Sequence, residues 1–325
     1  MNFMKRILVT GGAGFIGSNL TDALLASGYE VRVIDNFSTG KRENIDHLTG
    51  NPLFTLIEGD IRNIDDCRRA VENVDAVFHE AALGSVPRSI KTPELSTAVN
   101  IGGFVNMLTA AKDAGVKRFI YASSSSVYGD CTDSPKVEDR IGTPLSPYAL
   151  TKSVNEQFAA NFSRIYGMEC IGLRYFNVFG RRQDPEGAYA AVIPKFAAAL
   201  LNHSAPVING DGSYSRDFTY IDDVIQANIL ALKAALPAAL NTVYNVACGN
   251  ETTLNELFDY LKAELTVFDP EISGIDAIHG EVRAGDIPHS KADISRAAAL
   301  LGYQPEYTVK SGLKETAKWY FDHLA

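Results

Sequence analysis

The sequence predicts an α/β protein, a doubly wound parallel sheet with a smaller α/β carboxy-terminal domain. Three observations predict it. Short β-branched runs alternate with longer stretches of helical periodicity through the first half. A glycine-rich turn, Gly11-Gly12-Ala13-Gly14-Phe15-Ile16-Gly17, stands between the first such run and the first helical stretch. After about residue 178 the alternation becomes irregular, and Gly, Pro and polar residues crowd 180–189 and 202–216.

Residues 7–10, 30–34, 53–57, 76–79, 119–122 and 171–175 read as buried strands, apolar along most of their length because both faces of a parallel sheet are covered. Between them, 18–26, 65–71, 100–114 and 148–165 place apolar residues at helical spacing. Such alternation requires right-handed crossovers, and ligands then bind beyond the carboxyl ends of the strands. Residues 1–178 are expected to form the large domain and 179–325 mainly the smaller one, with the strand-like run 242–246 returning to the large sheet.

At 325 residues, 46% hydrophobic and 21% charged, the chain is long enough for such a core and ordinary in composition. A net charge of −9 argues against a nucleic-acid surface, which needs concentrated Lys and Arg, but leaves room for a small anion held by a few arginines. Cys67, Cys131, Cys170 and Cys248 are widely separated, which suits a reduced, cytoplasmic chain. The histidines lack ligand spacing, so no metal is expected. Residues 1–6 leave no room for an apolar signal segment, and 196–201 is too short to span a bilayer, so no membrane role is expected.

The GxxGxxG spacing lets backbone approach a pyrophosphate, whose charge is favoured by the amides and dipole at a helix start. Gly11, Gly14, Phe15, Ile16 and Gly17 are therefore the expected core of a dinucleotide site in a Rossmann sheet. Asp35 lies 18 residues after Gly17. A carboxylate there accepts both adenosine ribose hydroxyls and repels a 2′-phosphate, which favours NAD over NADP; the plainer reading is a cap for the following turn. Asn36 adjoins it, Asp60 and Ile61 are placed for the adenine edge, and Ala81 and Ala82 keep the cofactor path clear.

Tyr148 and Lys152 are four residues apart at the start of a helix and share one face. A lysine ammonium ~5 Å from a phenol, at an effective dielectric near 20, contributes roughly 3 kcal/mol, or about two pKa units. That would bring the phenol towards the working range of a general base.

The segment Ser123-Ser124-Ser125-Ser126-Val127-Tyr128-Gly129 resembles the extended short-chain dehydrogenase/reductase family. GGAGFIG, SSSSVYG, YALTK, LRYFNVFG and RDFTYIDD follow that family's order and spacing over essentially the whole chain. The resemblance implies that Ser124 hydrogen-bonds the reacting sugar oxygen beside Tyr148 and Lys152, and that Asn100, Tyr175 and Asn177 line the cleft. Dehydratases and decarboxylases of the family carry an acid just before Val-Tyr-Gly, where this chain has Ser125 and Ser126. The resemblance then implies 4-epimerisation, in which Tyr148 would take the sugar 4-hydroxyl proton as hydride passes from C4 to NAD. The transient 4-keto sugar turns over, hydride returns to the other face, and NAD stays bound.

By the same matching, Arg216 and Arg283 grip the diphosphate and Asp286 the uridine ribose. The stretches 82–90 and 180–195, with Arg88 and Val192, resemble UDP-N-acetylglucosamine 4-epimerases of bacterial surface-polysaccharide synthesis. Ser290 falls where epimerases restricted to plain sugars carry tyrosine, leaving room for a 2-acetamido group. The implied substrates are UDP-N-acetylglucosamine and UDP-N-acetylgalactosamine, with UDP-glucose and UDP-galactose as a second pair. A UDP-glucuronate 4-epimerase and a non-catalytic NAD-binding protein are the alternatives. A homodimer is expected through the helices at 100–114 and 148–165.

Overall fold

A computed structural model describes residues 5–185, 191–282 and 288–324. Six strands come from the first half: β1 (Arg6–Thr10), β2 (Glu30–Asp35), β3 (Phe54–Glu58), β4 (Ala76–His79), β5 (Arg118–Ser124) and β6 (Glu169–Tyr175). With Thr242–Val246 they form a seven-stranded sheet, parallel throughout, in the order Thr242–Val246, β6, β5, β4, β1, β2, β3. The chain runs outward from β1 to β3, then restarts on the other side at β4. That reversal opens a crevice beyond the carboxyl ends of β1 and β4, where open α/β sheets bind ligands.

Side-chain alternation divides the core between the two faces. Ile7, Val9, Phe78, Ile120 and Leu173 point to one face, against Leu20 and Leu24 of the helix Phe15–Ala26 and Val224 of the helix Ile221–Lys233. Leu8, Val77, Phe119 and Tyr121 point to the other, against Cys67, Phe104, Met107 and Ala159. Those four come from the helices Ile64–Val71, Phe104–Asp113 and Pro147–Tyr166.

One helix differs from its sequence reading. The pattern at 100–114 predicts a regular helix, but Ala98–Gly103 is a π-helical turn, with the α-helix starting at Phe104. Gly103 lies against Ile61, so closely that a Cβ there would stand 2.5 Å from the Ile61 side chain. Single π-turns of this kind occur mostly at functional sites.

The second half is more regular than its texture suggests. Val192–Leu201, Leu254–Thr266 and Val309–Leu324 are helices whose Phe196, Leu257, Leu261 and Leu313 join the same apolar cluster as one face of the sheet. Arg118 fastens the two halves together. Its guanidinium pairs with Glu169 at 2.7 Å and donates to the carbonyls of Ala231, Leu232 and Ala234 at the end of the Ile221–Lys233 helix. A cation at that end also meets the negative pole of the helix dipole. Among the described residues, no helix is long and apolar enough to cross a membrane.

Gly172, inside β6, marks the tightest interstrand packing, where a Cβ would stand 2.6 Å from the Tyr121 ring and 2.9 Å from Val243. Gly172→Ala is expected to destabilise the fold by about 1–3 kcal/mol through overpacking, read as a lower denaturant midpoint with an unchanged slope. An unaltered midpoint would show that the sheet yields here.

Candidate active site

The turn after β1 folds back on itself. Gly11 has φ +68° and donates to the Ile34 carbonyl at 2.8 Å, and its own carbonyl accepts from Gly14 N–H at 3.0 Å. A Cβ at Gly17 would stand 2.2 Å from that carbonyl, and one at Gly11 would stand 2.8 Å from Ala81 Cα. Only glycine fits both positions. The helix Phe15–Ala26 begins at Gly14 with no side-chain cap and no acidic residue in its first turn. Its leading amides are thereby left to an anion.

In front of the turn lies a cavity of about 410 Å³ that collects the cofactor residues expected on β1 to β4. Gly11, Gly14, Phe15, Ile16 and Gly17 form one wall. Asp35, Asn36, Asp60 and Ile61 line the β2–β3 end, and Ala81, Ala82 and Arg88 the β4 side. Asp35 accepts from the amides of Ala13 (2.9 Å) and Phe37 (2.8 Å), so it does cap the following turn. Each carboxylate oxygen keeps a second lone pair, so capping and ribose binding are compatible. Burial raises the Asp35 pKa and these amides draw it back down. Asp60 is held at about 2 by Arg62 and also accepts from Asn36 at 2.9 Å. The glycine cradle, open helix start and paired acids fit a dinucleotide.

Asn100, expected at the cofactor, is 1% exposed and turned into the protein. It accepts from Leu83 N–H at 2.8 Å and donates to the Leu83 carbonyl (3.3 Å) and to Thr151 Oγ1 (3.1 Å). It fastens the loop after β4 to the Pro147–Tyr166 helix.

That helix carries the expected catalytic pair, and its start is fully hydrogen-bonded. Pro147 has no N–H, Ser89 Oγ accepts from Tyr148 N–H at 3.0 Å, and Ser146 Oγ accepts from Ala149 N–H at 3.1 Å. Ser124 ends β5 and accepts from Ser126 N–H at 3.1 Å. Lys152 is 2% exposed and donates to the Ala122 carbonyl at 2.8 Å.

The electrostatics correct the simple spacing argument. Burial pushes the Tyr148 phenol up, and the nearby Ser124 hydroxyl is what works against it. Burial also pulls Lys152 down to about 8, because desolvation disfavours the ammonium as much as the phenolate. The large depression expected from Lys152 alone is therefore absent from the protein's own residues.

The residues expected at the substrate are divided between two places. Ser125 and Ser126 form a 3₁₀ turn, with Ser126 Oγ buried and without a partner. Tyr175 ends β6 and is tied to Glu80 and Asn228. Asn177 has φ +34° and donates to the Asp217 carbonyl at 2.9 Å. Val192 begins its helix and packs on the core. Ser290 and Arg216 are direct partners across two short parallel strands. Arg283 and Asp286 lie outside the described residues. Among the described residues there is no cluster suited to a metal ion.

Residues 7–247 match the NAD dependent epimerase/dehydratase family. The chain belongs to it. Its cofactor is NAD, in line with the expectation from Asp35 behind the glycine turn. A UDP-glucose 4-epimerase of Mycolicibacterium smegmatis is 36% identical over 318 residues, 97% of this chain and 98% of that protein. A UDP-N-acetylglucosamine 4-epimerase from Methanobrevibacter ruminantium M1, solved with UDP-N-acetylmuramic acid, superposes with a TM-score of 0.91 at 41% identity, covering 98% of both chains. A UDP-glucuronic acid 4-epimerase from Bacillus cereus, solved with UDP-glucuronic acid and NAD, gives 0.87 at 33% identity, covering 97% of this chain and 98% of that one.

Two polar residues escaped the sequence reading. Ser89 lay in view in the stretch 82–90, but only the fold brings it under Tyr148 N–H. Glu80 follows β4 and lines the cavity; a carboxylate in an apolar strand end was its only signal. Ser89→Ala leaves the Tyr148 amide without its acceptor and should destabilise the protein by about 1–2 kcal/mol. Thermal unfolding checks this, and an unchanged midpoint would mean that water replaces the hydroxyl.

Proposed function

We propose that the protein is an NAD-dependent UDP-sugar 4-epimerase that interconverts UDP-N-acetylglucosamine and UDP-N-acetylgalactosamine. The observation that carries the reaction class is the turn before Val127, where Ser125 and Ser126 stand and neither carries a carboxyl group. Chemistry at a neighbouring carbon would need an acid there; removing and returning one hydroxyl proton does not. The similarity to three 4-epimerases over nearly the whole chain supports the same class.

NAD, when bound, supplies a reversible two-electron acceptor. The protein's own residues manage the proton. Tyr148 takes it from the sugar 4-hydroxyl and later gives it back. Ser124 holds the same oxygen, and Lys152 supplies positive charge one helical turn away. Gly11, Gly14 and Gly17 receive the cofactor pyrophosphate, and Asp35 the ribose. Arg216, with Arg283, grips the substrate diphosphate, Asp286 takes the uridine ribose, and Arg88 and Asn177 frame the sugar.

Ser290 supports the acetamido preference, because its strand pairing with Arg216 puts a small side chain beside the phosphate grip. Four free cysteines suit a cytoplasmic protein. Exposed Leu150, Ile165 and Tyr166 on the Pro147–Tyr166 helix suit a homodimer packed across that helix, which light scattering would test.

Tyr148→Phe should lower turnover by at least about a thousandfold while bound NAD is retained, because the general base is lost and the cofactor cradle is not. Substantial residual turnover would remove Tyr148 as the base. Ser290→Tyr should depress turnover of the N-acetylated pair about tenfold or more relative to UDP-glucose, by filling the acetamido space. Equal losses would overturn the size argument. A panel of UDP-N-acetylglucosamine, UDP-glucose and UDP-glucuronate, assayed without added NAD, decides the substrate. A clear preference for UDP-glucuronate would replace this reading with that of a uronate epimerase.

A further inference from the structure

Three of the residues expected at the substrate, Asn177, Arg216 and Ser290, come from distant parts of the chain. Two of them meet on very short strands. Ser215–Arg216 pairs in parallel with His289–Ser290 on one side and antiparallel with Thr252–Thr253 on the other. Bonds from Ser215 N–H to the Pro288 carbonyl (3.0 Å) and from Asp217 N–H to the Ser290 carbonyl (2.9 Å) join the parallel pair. Strands of two residues make too few ladder bonds to fix their own register. The alignment has to be supplied from beside the ladder.

Asp217 follows Arg216 directly and is completely buried. Its carboxylate Oδ1 accepts from Cys248 N–H at 2.9 Å, and Oδ2 accepts from Gly249 N–H at 3.0 Å and Ala292 N–H at 3.2 Å. Its carbonyl accepts from Asn177 Nδ2 at 2.9 Å. One residue is thus bonded to the turn after β6, to the loop that follows Thr242–Val246 and to the segment 290–292. On that last segment it grips the Ser290 carbonyl with its amide and the Ala292 amide with its carboxylate. A slip of one residue would break both grips and turn the Ser290 side chain to the other face. The three groups bonded to the carboxylate are all donors, so the geometry fits its ionised form. Burial pushes Asp217 up to about 7, and the same three amides draw it back down.

We propose that Asp217 is the positioning residue of the substrate side: its carboxylate docks the segment 290–292 and the loop 247–249 on the Ser215–Arg216 strand, and so sets where Ser290 and Asn177 stand relative to Arg216. It acts through those three residues and is not among the residues that line the cofactor cavity. In Asp217→Asn one oxygen becomes an amide nitrogen. Whichever way that amide is turned, its NH2 group meets a backbone N–H, and a buried donor loses its acceptor. The damage therefore falls on the docking of these segments, while the glycine turn and the Pro147–Tyr166 helix keep their own contacts.

This inference rests on the reading that Arg216, Asn177 and Ser290 face a UDP-sugar; it does not need the sugar to be epimerised. In the NAD-loaded protein, calorimetric titration with UDP should show binding weakened about tenfold or more in Asp217→Asn. KM for the UDP-sugar turned over by the wild type should rise in step, while kcat falls less than about threefold. Bound NAD should be unchanged. Unaltered UDP affinity in Asp217→Asn overturns the proposal. So does a parallel loss of bound NAD, kcat and UDP affinity, which would mark a general structural role. Should the variant fail to fold, amide hydrogen exchange on the wild type decides. UDP should slow exchange at Cys248, Gly249 and Ala292 together, because one carboxylate holds all three, and slowing at Ala292 alone or at none of them overturns the proposal. Weakened UDP binding in Asp217→Asn, with no turnover of any UDP-sugar by the wild type, would support the role of Asp217 and defeat the epimerase reading instead.

Discussion

The site depends on how one helix, Pro147–Tyr166, is held against the end of β5. Five contacts make the attachment. Ser89 takes the Tyr148 amide, Asn100 takes Thr151, and Lys152 reaches the Ala122 carbonyl. One turn further on, Glu156 binds both Ser123 and the Arg174 guanidinium. These contacts recur at helical spacing on a single face, so they fix the rotation of the helix as well as its distance. Tyr148 and Lys152 inherit their placement from that rotation.

The same burial that gives precision sets the electrostatic problem. Tyr148, Lys152, Glu80 and His79 are all displaced toward their neutral forms by desolvation. Hydroxyl and backbone bonds and the carboxylates of Glu80 and Glu156 offset part of that displacement, and the charge of oxidised NAD would offset more. The protonation of a buried phenol such as Tyr148 is therefore governed by its whole neighbourhood, and a pair of residues four apart describes it incompletely.

The strands and the cofactor turn were legible because each rests on local rules. All six first-half strands lie within two residues of where apolar runs placed them, and the glycines stand where close backbone approach demands them. Ser124, Tyr148 and Lys152 were legible as a pattern, and the structure adds their bonds. Other features depend on distant partners. The π-turn at Ala98–Gly103 answers to the packing of Ile61 on Gly103, which periodicity cannot register. Asn100 matched a family position but is held by Leu83 and Thr151, contacts that exist only once the sheet is assembled. The carboxy-terminal helices were obscured because their apolar residues are wrapped by several neighbours and lack one clean stripe, as in Val192–Leu201.

Thr242–Val246 has a consequence for how the chain can be divided. It covers the outer side of β6, although nearly 70 residues separate the two in sequence. A fragment stopping near residue 178 would keep the glycine turn, the Tyr148 helix and most of the cofactor cavity. It would also turn β6 into an open edge, with a row of unpaired amides and carbonyls ready to recruit another strand. The first half of the chain is thus not a unit of folding, because the cover for its sheet edge comes from sequence more than sixty residues beyond β6.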